Sequence, residues 1–314
     1  MKLVITGATG AIGRALLQCI ATQNVPASDP LLVHALCSSG SGAASLKEQF
    51  PAIQVTRHMA WQDLAPALAG ADVLLHMAWS SVPTTAALDP EEDLRANVEQ
   101  AELLLDQAAA SGVGQVVFLS SGGTVYGPVE GQEPITEEHI AAPSTAYGAS
   151  KLAFERMLSA HAVSKGYGAL VLRPANVYGM PISDSRQQGV VHHWMKAVLE
   201  GRPIELWNEG STVRDLVHID DMVEALMLAI GYQGPNEVLN VGTGVGTSLA
   251  ELVRAMEELV GHPIDIVRRT GSAGAVDRNV LSTARAKQIL GFEAKVLLAE
   301  GLRRSWQQMR RGAI

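Results

Sequence analysis

The residues with the most chemistry to offer are Tyr147 and Lys151, in the run Tyr147-Gly148-Ala149-Ser150-Lys151. At i and i+4 on a helix, a phenol and an ammonium share one face. A free phenol titrates near pH ~10 and is a poor base at neutrality. A neighbouring cation favours phenolate, and so would an oxidised nicotinamide ring above it. Such a phenolate can accept an alcohol proton while hydride leaves the same carbon. The bland alternative is a pair on a helix surface. A second polar cluster, Leu119-Ser120-Ser121-Gly122-Gly123-Thr124-Val125-Tyr126-Gly127, follows an apolar run. In a doubly wound sheet, ligands lie beyond the strand C-termini, so hydroxyls there would face a substrate. The competing reading is a polar turn.

Gly7-Ala8-Thr9-Gly10-Ala11-Ile12-Gly13 lies between the run 3–6 and the helical pattern 11–22. Gly7 permits a tight turn, Gly10 lets backbone approach a pyrophosphate, and Gly13 permits close helix–strand packing. Gly7, Thr9, Gly10, Ala11, Ile12 and Gly13 are therefore candidate dinucleotide contacts. The second strand ends Val33-His34-Ala35-Leu36-Cys37-Ser38-Ser39, with neither an acid nor an arginine. Ser38, Ser39 and the 40–42 backbone suit either NAD or NADP. Cys37 reads as a small buried strand-end residue.

These residues need a scaffold. Runs at 3–6, 31–37, 53–56, 72–76, 115–119 and 169–173 are apolar without alternation, as in strands buried on both faces. Helical patterns at 11–22, 64–69, 91–111 and 146–165 separate them, which predicts an α/β fold with a doubly wound parallel sheet. A run at 216–219, a helix at 220–230 and a run at 237–241 predict a return to that sheet. Helices at 190–199, 249–260 and 299–309 flank an irregular stretch, 268–282. The expected division is a dinucleotide-binding Rossmann domain over 1–173, with chain return about 214–242. Segments 174–213 and 243–314 form a smaller α/β substrate-binding lobe.

Composition bounds the function. The 314 residues are 47% apolar and 18% charged, which supports a large core and excludes disorder. Aromatics make up 4%, so the core is mostly aliphatic. The net charge of −8 argues against nucleic-acid and anionic-membrane partners. Two cysteines, Cys19 and Cys37, cannot build a disulfide framework and fit a reducing compartment. No run reaches the ~18 apolar residues of a membrane span. The first residues run straight into the glycine loop instead of reading as a signal peptide. A soluble cytoplasmic protein is expected.

The resemblance rests on pieces taken in order: Thr6 to Gly13, His76-Met77-Ala78-Trp79, Asn97, Ser120 to Gly127, and Tyr147 to Lys151. Then come Leu172-Arg173-Pro174-Ala175-Asn176-Val177-Tyr178-Gly179 and Val213-Arg214-Asp215-Leu216-Val217-His218-Ile219-Asp220-Asp221. On these, nearly the whole chain resembles the extended short-chain dehydrogenase/reductase family, in its nucleotide-sugar epimerase/dehydratase branch. The resemblance implies that Tyr147 is the acid/base and that Lys151 tunes it and holds a ribose. It implies that Met77, Ala78, Trp79, Asn97 and Ser120 join the glycine loop around an NAD-type cofactor, with Pro174 near the nicotinamide. It puts Asn176 and Arg214 at the diphosphate region of a nucleotide sugar and Asp277 at the nucleoside. A planar guanidinium suits a diphosphate, although for Arg214 a salt bridge to Asp215 or Asp220 competes. Selectivity is expected in loops 80–87, 187–191 and 268–277, which include Ser80, Val190 and Val191. Gly122, Gly123 and Thr124 would lie beside the sugar.

Three departures stand out. Gly122 occupies the position where the family carries its catalytic Ser or Thr, so either Ser121 or Thr124 bonds the reacting hydroxyl or that role is lost. Cys37 replaces the acid of the second strand, and the acid after the third is missing around Arg57-His58-Met59. Gly123 and Thr124 stand where dehydratases of the branch carry Asp-Glu, which disfavours 4,6-dehydration. The expected function is a nucleotide-sugar 4-epimerase for a UDP-hexose or UDP-N-acetylhexosamine, using NAD, with NADP left open. One alternative is an NAD(P)H-dependent nucleotide-4-keto-sugar reductase, motivated by the acid-free strand end. Another is a non-catalytic cofactor-binding regulator, motivated by Gly122 and the missing acids. Apolar stripes at Leu94, Val98, Ala101 and Leu105, and at Leu152 and Met157, predict packing against the sheet. To this the resemblance adds a homodimer through a four-helix bundle. His192, His193 and Asp184 lack metal-site spacing, and no metal is expected.

Overall fold

The computed structural model describes residues 1–22, 31–58, 61, 64–180, 189–271 and 276–312. The first half yields β1 (Lys2–Thr6), β2 (Leu32–Cys37), β3 (Gln54–Arg57), β4 (Val73–His76), β5 (Gln115–Leu119) and β6 (Gly168–Pro174). Next come β7 (Asn176–Tyr178), β8 (Ile204–Trp207), β9 (Val213–His218) and β10 (Glu237–Val241). The last are β11 (Gly246–Ser248), β12 (Ile266–Arg269) and β13 (Arg278–Asn279). Seven of these form one parallel sheet in the order β10-β6-β5-β4-β1-β2-β3.

Side chains alternate across this sheet, and both faces are apolar, which is why the runs read as continuous. Leu3, Ile5, Leu75, Val117 and Leu172 face Leu16 and Leu17 of helix Ala11–Thr22 and Met222 and Leu226 of helix Ile219–Ile230. Val4, Leu74, Val116, Phe118 and Val171 face Leu104 and Leu105 of helix Gln100–Ala110 and Phe154 and Leu158 of helix Ala146–Lys165. Burying each such side chain contributes roughly 1.5–3 kcal/mol. Among the predicted stripe residues, Val98, Ala101 and Leu105 are buried, whereas Leu94 is 41% exposed. The predicted helix 91–111 contains a π turn, Arg95–Glu99, between Pro90–Leu94 and Gln100–Ala110. Its extra residue is invisible to a 3.6-residue apolar period.

The run around 216–219 does not return to the large sheet; β10 does. β9 pairs with β7, β11 and β13 in a separate four-stranded sheet. The reason lies in Asp215, which is fully buried. Its carboxylate accepts hydrogen bonds from Thr243 N (2.9 Å), Thr243 Oγ1 (2.6 Å), Gly244 N (3.1 Å) and Leu281 N (3.4 Å). It thereby ties β9 to the loop after β10 and to the residues just past β13. A further sheet, β12–β8, lies with Trp194, Met195, Leu252, Met256 and Leu302 in a second core. None of the described helices is long and apolar enough to cross a membrane.

Candidate active site

The glycine turn opens a cleft of about 790 Å³ at the C-terminal ends of β1, β2 and β4. Gly7 has φ +76°, and a Cβ on it would lie 2.6 Å from the backbone of Met77 and Ala78. Only glycine fits the turn. Thr9, Gly10, Ala11, Ile12 and Gly13 line one end of the cleft and Ser38 and Ser39 a second. Met77, Ala78, Trp79, Ser80, Asn97 and Tyr147 line the remainder. Thr6 Oγ1 accepts from Ala78 N (3.2 Å) and is bonded to His76 Nδ1 (2.8 Å). Burial, then the charge of Lys151, pushes the His76 pKa down to about 3, so the ring is neutral. His76 Nε2 and Trp79 Nε1 are buried with no hydrogen-bond partner among the described residues. A glycine cradle, unpartnered polar atoms and this volume fit a dinucleotide.

Tyr147 lies in the first turn of helix Ala146–Lys165, which begins where Thr145 Oγ1 accepts from Gly148 N (3.1 Å). Four residues on, Lys151 is buried and donates from Nζ to Leu119 O (2.7 Å). Its Nζ is 3.9 Å from the Trp79 ring centroid and 5.7 Å from that of Tyr147. Burial lowers the Lys151 pKa to about 7, against the opposing pull of Glu155 and Asp93. Burial, then Asp93, raises the Tyr147 phenol. Both groups are desolvated, so a positive charge placed beside the phenol acts strongly on it.

Two carboxylates absent from the sequence reading organise this helix. Asp93 accepts from Ser81 Oγ, Asn97 Nδ2 (2.9 Å) and Ser150 Oγ (2.5 Å), while Asn97 Oδ1 accepts from Ser80 N (2.7 Å). Glu155 accepts from Ser120 Oγ and from Arg173 Nε (3.1 Å) and an Arg173 NH2 group (2.6 Å). Ser120 and Lys151 therefore lie behind the cleft wall and do not line it. The available signals were spacing: Asp93 to Asn97 and Lys151 to Glu155 are both i, i+4.

A second cavity, about 260 Å³, adjoins the first. Its polar wall includes Ser121, Gly123, Thr124, Tyr147 and Asn176; its apolar wall includes Val190, Val191, Met195, Leu216 and Met309. Gly122 does not reach it. A Cβ there would lie 2.5 Å from Leu281 Cδ1 and 2.9 Å from Arg173 O, so no hydroxyl residue fits. Thr124 Oγ1 and Asn176 Oδ1 are buried without hydrogen-bond partners among the described residues. Ser121 begins helix Gly122–Val125 without a side-chain capping bond. Pro174 ends β6 outside both cavity walls, with its carbonyl 3.2 Å from the Cβ position of Gly122.

Arg214 lies on β9 two residues from Leu216, on the same face. It donates to Val213 O (2.8 Å), and the competing ion pairs are not formed. Asp215 holds the loop described above, and Asp220 pairs with Arg304 (2.7 Å) and His218 (3.3 Å). Burial lowers the Arg214 pKa and the Asp277 charge opposes it, so these two act on each other. Asp277 O also accepts from Val213 N (2.8 Å). His192 lines the second cavity, and its ring centroid is 5.9 Å from that of His193. Asp184, Met59, residues 187–188 of one selectivity loop and 272–275 of another lie outside the described residues.

The family model described as "NAD dependent epimerase/dehydratase family" matches residues 3–242. The chain is 33% identical over 306 residues to a UDP-glucose 4-epimerase of Mycolicibacterium smegmatis, covering 96% of each chain. It superposes on the UDP-glucose 4-epimerase of Thermotoga maritima, solved with UDP-glucose, with a TM-score of 0.89 and 29% identity over 100% of both chains. The Thermus thermophilus UDP-glucose 4-epimerase, solved with NAD, gives 0.86 and 29% over 100% of both.

Proposed function

The chain belongs to the NAD dependent epimerase/dehydratase family, and on that premise we propose that it is a nucleotide-sugar 4-epimerase acting on a UDP-hexose or UDP-N-acetylhexosamine. The observation that carries this reading is Tyr147, which lines both the dinucleotide cleft and the adjoining cavity. The cofactor is NAD, held by the glycine loop, Ser38, Ser39, Met77, Ala78, Trp79 and Asn97. When bound, NAD supplies a two-electron acceptor that takes a hydride from the sugar and returns it, and its oxidised ring carries a positive charge that favours the Tyr147 phenolate.

Tyr147 takes the proton from the sugar O4 as the C4–H bond breaks, which leaves a C4 ketone. The ketone would turn over in the cavity, and Tyr147 would give the proton back to O4 as hydride supplied by the bound nicotinamide reached the opposite face. No net oxidation occurs, so no external reductant is needed. Lys151 steadies the phenolate from behind the cleft wall, where its Nζ is held at Leu119 O, and the ribose contact that the resemblance implied for it is not made from that position. Thr124 and Ser121 hold O4 in place of the hydroxyl that Gly122 lacks. Arg214 and Asn176 hold the diphosphate region and Asp277 the nucleoside. We assign dinucleotide binding to 1–173 with the return through β10, and sugar binding to 174–213 and 243–314. We further infer a homodimer through the helices of 90–110 and 146–165, on which Leu103 is 43% and Val163 75% exposed. The cytoplasm is its proposed site of action, from two cysteines in 314 residues.

The test is direct. Purified protein incubated with UDP-glucose, UDP-galactose and UDP-N-acetylglucosamine, followed by proton NMR of the sugar, should give mixtures of C4 epimers without net nicotinamide turnover. No inversion of any of them overturns the reading. Oxidation of NADPH only in the presence of a 4-keto sugar would identify the reductase instead. Thr124→Val should lower kcat about a hundredfold with a smaller change in KM, because the lost donor acts where charge develops on O4. Ser121→Ala serves as its comparison, and a larger loss there would reassign the role to Ser121.

A further inference from the structure

We propose that the ribose end of the dinucleotide cleft carries a 2′-phosphate subsite built around Arg57, so that the cleft accepts NADP alongside NAD. The proposal rests on the dinucleotide part of the reading above and is independent of the sugar chemistry. Dinucleotide clefts selective for NAD carry an acid at the end of the second strand, which bonds the ribose hydroxyls. Here that strand ends in Cys37, and no arginine follows it in sequence. The fold supplies one from the neighbouring strand. β2 and β3 pair with Cys37 opposite Arg57, so Arg57 emerges beside Ser38. Its guanidinium lies over the first turn of helix Gly40–Gln49: a Cβ on Gly40 would be 3.5 Å from one terminal nitrogen and 3.7 Å from Cζ. Arg57 has no carboxylate partner among the described residues.

The turn beneath this guanidinium is fixed against the glycine loop. A Cβ on Gly42 would lie 2.8 Å from Thr9 Cγ2, so the two loops touch. Ser39 Oγ accepts from Gly42 N (3.1 Å) and lies 2.9 Å from Ser41 Oγ. Ser38 and Ser39 are part of the cleft wall. Arg14 stands nearby with neutral partners: it donates to Thr9 O (3.1 Å), Gln49 Oε1 (2.5 Å) and Ser45 Oγ (3.3 Å). Where an NAD-selective cleft has a carboxylate, this one has Ser38 and Ser39 on its wall, and the Arg57 guanidinium stands outside that wall over the adjoining helix turn. A phosphate monoester carries close to two negative charges at pH 7. A guanidinium fork matches its oxygens, whereas a carboxylate would repel them.

The test is a competition on the purified full chain, equilibrated with equal saturating NAD⁺ and NADP⁺ and no sugar. Bound nucleotide is then released and identified by mass. NADP⁺ should make up roughly a tenth or more of the bound nucleotide in the unmodified protein, and Arg57→Gln and Arg57→Ala should each lower the NADP⁺:NAD⁺ ratio about ten- to a hundredfold. A smaller NADP⁺ share, or a ratio that moves less than this, overturns the proposal. Equal loss of both nucleotides in the variants is such a result, since it would place the guanidinium on the adenine. Because no sugar is present, failure here leaves the epimerase reading standing, and failure of C4 inversion leaves this subsite standing.

Discussion

Tyr147→Phe should lower C4 inversion about 10²–10⁴-fold while leaving the fold and bound nucleotide intact. The substitution removes one oxygen and keeps the ring, which stands edge-on to Trp79 with centroids 6.5 Å apart. The helix start is untouched, because Thr145 and not Tyr147 supplies the cap. On the proposed chemistry, what is lost is the group that moves the O4 proton, and among the described residues of the cavity wall no other phenol is placed to replace it beside the dinucleotide cleft. Lys151 is held at Leu119 O, and Thr124 is a far weaker acid than a phenol beside a cation. The measurement is kcat for UDP-galactose conversion, read beside circular dichroism and the amount of nucleotide released on denaturation. Turnover within about tenfold of the unmodified protein would remove Tyr147 from the reaction. A regulator that only senses cofactor would keep its effect in this variant, so the same protein separates enzyme from sensor.

How much of this was legible in advance follows from the range of each signal. The glycine turn, the Tyr147–Lys151 pair and the buried strands are local patterns, and a one-dimensional reading captures them. The π turn at Arg95–Glu99 escaped because one extra residue shifts an apolar stripe without erasing it. The run at 216–219 does not reveal its sheet, because Val-Arg-Asp-Leu-Val-His is a plausible strand anywhere; only its partners decide, and those are β7, β11 and β13. The end of the third strand reads only as lacking an acid; that Arg57 stands beside Cys37, twenty residues back in sequence, follows from the strand pairing alone. The absence of a hydroxyl at Gly122 was plain, but its cause was not. Leu281 and the carbonyl of Arg173 fill the space a side chain would need.

The second large effect belongs to Glu155, which no motif marks. Glu155→Gln should destabilise the protein by about 3–5 kcal/mol, because it strands a buried guanidinium. Arg173 is 6% exposed and Glu155 4%, with their closest atoms 2.6 Å apart. Removing the negative charge leaves Arg173 beside the Tyr126 ring, 4.9 Å from its centroid, with no other carboxylate bonded to it among the described residues. Glu155 also accepts from Ser120, at the end of the strand whose Leu119 carbonyl holds Lys151. The same substitution should therefore reach the site. Glu155 is the first of the charges holding the Lys151 pKa up at about 7. Without it that value falls, Lys151 loses its proton at lower pH, and the alkaline limb of the turnover profile moves down with it. Stability would be read as the urea midpoint and the site effect as kcat against pH. Adding Arg173→Met should restore much of the stability, since the unpaired charge is gone, without returning the alkaline limb. If the single variant unfolds at an unchanged midpoint, or the double variant recovers the pH profile too, Glu155 does not link the core to the reacting helix as argued.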